Sequence, residues 1–185
     1  MKKTNRRNNI LERGGVVYIR FPEIDDCDEY IRLNRASIKL YKGLISPTIT
    51  KESFLKYISR CGQSDFKGFF ICRKQDDAIV GAINLSQIFM AGFKSAYMGY
   101  RVGAPFAGQG YMTLGMDLVL RYAFNKMKLH RLEANVQPEN KPSIALLNRS
   151  GFTKEGFSRR YLKISGKWRD HERWAILAED WGKKH

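Results

Sequence analysis

At 185 residues, 43% hydrophobic and 28% charged, the chain is long enough to bury roughly 70% of its unfolded surface in one domain. No apolar run approaches the roughly 18 residues of a membrane-spanning helix, and Cys27, Cys61 and Cys72 lack metal-type spacing, which excludes helical membrane proteins and cysteine-metal folds. With 33 Lys+Arg against 18 Asp+Glu the net charge is +15, which favours an anionic partner: nucleotide phosphates, RNA, a ribosomal surface or an acidic peptide.

Residues 1–14 carry Lys2, Lys3, Arg6 and Arg7 among few apolar residues and read as a basic mobile arm, followed by a single domain over 15–185. The arm leads into no hydrophobic signal core, and the dispersed cysteines read as reduced thiols, so a cytoplasmic location is expected. Val16–Phe21 is the first strand, ended by Pro22. Helical spacing of Tyr30, Leu33, Ile38 and Leu40 predicts a helix over 25–41 with Asp25 or Asp26 as its cap. A second helix starts at Thr50, turns Phe54, Leu55 and Ile58 inward, and ends before Gly62. Phe66–Arg73, the turn Gln75-Asp76-Asp77 and Ile79–Gln87 form a hairpin, which the strand over 96–102 extends into an antiparallel meander.

The stretch from Gly99 to Thr113 organises the rest. A strand is followed by a turn punctuated by Gly103, Gly108 and Gly110, and then by helical spacing at Leu114, Leu118, Tyr122 and Ala123. Such an arrangement aims backbone N–H groups and the positive end of a helix dipole at one spot, where a phosphate binds. The same residues also suit an ordinary turn. The helix over 113–126 crosses to a strand over 130–136, a connection that suits a parallel pair. A short helix over 140–150 has Pro142 in its first turn and Gly151 as its C-terminal stop. A last hairpin joins 157–164 to 167–177 through Ser165-Gly166.

In this order the chain resembles the GNAT acetyltransferases, and within them the RimJ/RimL-type ribosomal-protein N-terminal acetyltransferases. The carriers, within residues 16–181, are Gly108-Gln109-Gly110, Asn140-x-x-Ser143, Asn148-x-x-Gly151-Phe152, Glu155-Gly156 and Gly166-Lys-Trp-Arg-Asp-His171. The resemblance implies an α+β, three-layer fold: a mixed, mostly antiparallel sheet with a splayed parallel strand pair and flanking helices. It implies acetyl-CoA as co-substrate in the splay, with Tyr100, Arg101 and Val102 along its acyl and pantetheine arm. The amides of Gly108, Gln109, Gly110, Tyr111, Met112 and Thr113 would hold the pyrophosphate. Asn140 is a cofactor contact or a helix cap. Pro105 stands where the family's turn begins with Arg or Gln. That contact is either missing or supplied by Arg101 or Gln109, and binding is expected to be weakened rather than abolished.

Acetyl transfer needs a neutral amine, donors for the oxyanion and a proton for the departing thiolate. An α-amine with a pKa of about 7.7–8.0 is roughly a tenth neutral at pH 7, far more than a lysine near 10.4. The family's usual acid tyrosine, seven positions after the helix-starting Asn, is Leu147 here, so Ser143 becomes the candidate acid; it also suits a first-turn serine bonding backbone groups. Glu155 is the candidate base, or a solvated glutamate, and Glu133 a second option. Tyr97 and Tyr100 read as wall or core, His130 as structural, and Trp174 and Trp181 as core. The segment with His171 shapes the acceptor pocket or packs the hairpin. No metal site is expected.

The reading is therefore direct acetyl transfer to a primary amine, most plainly a protein N-terminus and in particular a ribosomal protein, with ribosome association and no membrane. Monomer and homodimer both stand. A small-molecule amine is the alternative acceptor, and a CoA- or ribosome-binding module without catalysis the alternative class.

Overall fold

A computed structural model describes residues 9–183. β1 (Ile10–Arg13) and β2 (Val17–Arg20) pair antiparallel at one edge of the sheet. Part of the expected mobile arm is therefore an edge strand, because Ile10 and Leu11 pack against the core; residues 1–8 of that arm lie outside the described residues. After β2 the chain forms α1 (Cys27–Ala36), α2 (Ile38–Tyr41) and α3 (Lys51–Cys61). Then come β3 (Phe66–Arg73), β4 (Ile79–Phe89) and β5 (Ser95–Val102), an antiparallel meander as the alternation predicts.

α4 (Tyr111–Arg121) runs into a wide π-type turn over Tyr122–Lys126 before β6 (Arg131–Val136). α5 (Lys141–Arg149), β7 (Thr153–Ile164), β8 (Lys167–Leu177) and α6 (Ala178–Gly182) complete the described chain. Among the described residues eight strands make one sheet in the order β1-β2-β3-β4-β5-β6-β8-β7, in which only β5 and β6 pair parallel.

Side chains alternate along the strands, and helices cover both faces. On one face Phe69 and Ile71 of β3 meet Met116, Val119 and Leu120 of α4; on the other, Phe70 and Cys72 meet Tyr30 and Phe54 of α1 and α3. Among the described residues no helix is long and apolar enough to cross a membrane.

Several local expectations move. The long helix over 25–41 divides: Ser37 Oγ donates to Leu33 O at 2.6 Å and accepts from Ala104 N at 2.8 Å, tying the break to the end of β5. Ile38, Leu40 and Leu55, expected inward, are exposed. Asp26 is no simple cap either. It accepts from the Glu23 amide at 2.7 Å and forms a buried pair with Arg20.

Candidate active site

β5 and β6 pair only at Ser95–Arg131, Ala96–Leu132 and Tyr97–Glu133. Beyond Tyr97, β5 continues on β4 as far as Val102 and β6 continues on β8 as far as Val136, while the two strands no longer bond each other. A wedge opens between their carboxyl ends, leaving β5 backbone groups on that side without a strand partner. A cavity of about 800 Å³ occupies this region. Every predicted cofactor residue except Gln109 lines it, as does Ser143.

The glycine turn shapes one end of the cavity. Gly108 (φ +75°) and Gly110 (φ +80°) are left-handed, and Gly110 caps α4 with no side-chain acceptor on the first-turn amides. A Cβ at either glycine would meet nothing within 4 Å, so these positions need glycine for backbone conformation and not for space. Pro105 sits in a single 3-10 turn, and Gln109 Nε2 donates to its carbonyl at 2.9 Å. Gln109 thus braces the turn, which is why its side chain is absent from the cavity wall. The Tyr111 and Met112 amides, without a partner among the described residues, the left-handed glycines and the cations Lys42 and Arg149 fit a nucleotide pyrophosphate, whereas the Thr113 amide already donates to the Gly110 carbonyl at 3.0 Å. Glu139 is the only acidic residue in the wall among the described residues.

At the wedge, Tyr100 and Ser143 meet. The Tyr100 hydroxyl lies 2.6 Å from Ser143 Oγ, and burial pushes its pKa up to about 12. Ser143 is the third residue of α5, and Asn140 Oδ1 accepts from its amide at 3.3 Å. Asn140 therefore acts as the helix cap while also lining the cavity. Ser143 spends its hydroxyl on Tyr100 rather than on backbone groups.

Glu155 does not join this cluster. It lies on β7, outside the cavity wall, with Oε1 2.9 Å from Arg131 Nη1 and Oε2 bonded to Nη2. That guanidinium holds the Glu155 carboxyl below the usual range, a disadvantage for a base. Glu133 is bonded to the same arginine at 3.1 Å. Arg131, which the sequence reading did not single out, thus engages both candidate carboxylates.

His130 is exposed and 3.3 Å from Glu179, away from the wedge. His171 is buried, its Nδ1 3.0 Å from the Arg169 carbonyl. Trp174 and Trp181 pack the core.

The wall also contains residues that sequence reasoning missed: Leu40, Tyr41, Leu44 and Ile45. Tyr41 donates to the Val102 carbonyl at 2.9 Å, and Gln137 Nε2 to the Gly43 carbonyl at 3.0 Å, so this segment is strapped to both lips of the wedge. The one available signal was apolar residues continuing past a helix end into a loop marked by Pro47.

Fold, wedge and glycine turn together define an acyltransferase, and the chain matches the Acetyltransferase (GNAT) domain over residues 17–153. The chain belongs to that family. It is 33% identical over 176 residues to the probable N-acetyltransferase YjcK of Bacillus subtilis, covering 91% of this chain and 97% of YjcK. It is 40% identical over 103 residues to the ribosomal protein uS5-alanine N-acetyltransferase of Escherichia coli, a match spanning 56% of this chain and 53% of that protein. Mycobacterium smegmatis RimJ in complex with CoA-disulfide superposes with a TM-score of 0.81 at 30% identity, covering 89% of this chain and 83% of RimJ.

Proposed function

We propose that this N-acetyltransferase takes acetyl-CoA as co-substrate and moves the acetyl group to a protein α-amine, with a ribosomal protein as the acceptor. The observation that carries the chemistry is the Tyr100–Ser143 hydroxyl pair in the wall of the wedge. Acetyl-CoA use is supported by the Tyr111 and Met112 amides that open α4 and by the CoA-disulfide in complex with Mycobacterium smegmatis RimJ. The acceptor class is supported by the likeness to the uS5-alanine enzyme.

The amine nitrogen attacks the thioester carbonyl, the C–S bond breaks, and the product is an amide plus free thiol. Ser143 Oγ supplies the proton that the departing sulfur takes, the protonated Tyr100 hydroxyl replaces it, and Tyr100 is reprotonated from the solvent that takes the amine's proton. The amine loses its proton to water. An α-amine near pKa 7.7–8.0 needs no dedicated base, which agrees with Glu133 and Glu155 being engaged by Arg131.

Ribosome docking is supported by the net charge of +15 and by the last hairpin. There Arg159, Arg160, Lys163 and Lys167 are exposed, and none of their side chains pairs with a carboxylate among the described residues, the Asp170 carboxylate accepting only from the Arg160 backbone amide at 2.7 Å.

The test is free-thiol release with three acceptors: a peptide with a free α-amine, the same peptide blocked at its α-amine but retaining lysine, and spermidine. Release with the first alone is the expected result. Release only with spermidine moves the enzyme to small amines, and release with none of them removes the catalytic reading.

A further inference from the structure

Arg101 carries a charge that the chain around it does not neutralise. Alternation along β5 sends Tyr100 toward α5 and Arg101 to the opposite face of the sheet. There its Nη2 donates to the Tyr30 hydroxyl, and its guanidinium carbon lies 5.2 Å from the centroid of the Tyr30 ring. Nε is shut off from solvent without a partner, and no carboxylate among the described residues pairs with the group. Its remaining neighbours are phenols that are already spent: Tyr57 donates to Asn84 Oδ1 at 2.8 Å and Tyr41 to the Val102 carbonyl at 2.9 Å.

Arg20 shows how the chain treats an arginine of purely structural use. It is fully buried, and although its Nε also lacks a partner, both Nη atoms reach Asp26 at 2.7 Å. Charge separates the two cases. One guanidinium has its carboxylate, and the other, in a cavity wall, has a phenol. A cation half-withdrawn from water is costly unless an anion meets it, and the fork of a guanidinium suits a carboxylate.

The α4 amides that receive the cofactor's phosphates belong to the helix on the opposite face of the sheet from Tyr30, although they and Arg101 line one cavity.

We propose that Arg101 selects the acceptor by binding a carboxylate carried close to the acceptor's amine. Acidic residues next to the N-terminal residue are favoured, and polyamines are rejected. This rests on the reading of the wedge as an acetyl-transfer site. Lys42 and Arg149 are taken up by the cofactor's phosphates, so the charge that repels a polycation is that of Arg101, which has no carboxylate partner among the described residues.

The experiment measures binding to the CoA-saturated protein by calorimetry, for two peptides differing only in Glu or Gln as their second residue. The Glu peptide binds roughly tenfold more tightly to the wild type. Arg101→Gln reduces that ratio to under about twofold and Arg101→Lys leaves part of it, each variant being measured at its own saturating CoA concentration. Equal affinities for the two peptides, no binding of the Glu peptide, or a ratio that survives Arg101→Gln overturns the proposal. If Arg101→Gln fails to fold, the wild-type ratio and Arg101→Lys decide. Failure of the transferase reading is seen separately, as absence of thiol release with any primary amine.

Discussion

Burial sets the protonation of the residue pair at the wedge. With its pKa pushed up to about 12, Tyr100 keeps its proton throughout the range in which an α-amine of pKa about 7.7–8.0 becomes neutral. Raising the pH therefore supplies nucleophile without removing the acid. The rate at low acceptor concentration is predicted to climb through about pH 8 and hold a plateau to about pH 10. A pH–rate profile with a descending limb near pH 9–10 contradicts this. Glu155 belongs to the same scale with the opposite sign: Arg131 depresses its pKa, so it is ionised at neutral pH but held in an ion pair. Glu155→Gln removes a half-exposed pair of a kind usually contributing less than about 1 kcal/mol, and turnover is expected within about twofold of wild type. A hundredfold loss of kcat would restore Glu155 as the base.

Among the elements, the glycine turn and the α5 cap were legible in the sequence because their causes are local. Left-handed Gly108 and Gly110, the Asn140 cap and Gly151 (φ +88°) each act within a few residues. The β3–β4 hairpin was legible for the same reason. What was hidden depends on distant pairing. The wedge exists because β5 and β6 stop bonding after Tyr97, and the Tyr100–Ser143 contact joins residues 43 apart. Arg131 joins β6 to Glu155 across the sheet, and no periodicity records that. Helical spacing also promised buried positions for Ile38 and Leu40, but the break at Ser37 turns them outward and gives Leu40 to the cavity. For the turn itself, Gly110→Val forces a β-branched residue into φ +80° at the mouth of α4. Calorimetry is expected to show CoA affinity at least about tenfold weaker; an unchanged affinity would remove the turn from the cofactor site.

For the whole molecule, charge and fold answer different questions. Two helical layers and one sheet place the wedge, whereas the net charge of +15 governs what large partner comes near it. Docking on ribosomal RNA is a counterion-releasing event and chemistry on a short peptide is not. The proposed binding to ribosomes is therefore expected to fall at least about tenfold between roughly 50 and 200 mM salt, while turnover of a free peptide changes by less than about twofold. Ribosome binding that ignores salt would remove the basic surface from the account.

The proposed chemistry rests on the Tyr100–Ser143 pair delivering the proton to the departing sulfur. The direct measurement is kcat by thiol release alongside CoA affinity by calorimetry, for Ser143→Ala and Tyr100→Phe. In both variants kcat is expected to fall roughly ten- to hundredfold, with CoA affinity within about twofold of wild type. Wild-type kcat in both variants would contradict it and leave the pair a packing contact in the cavity wall.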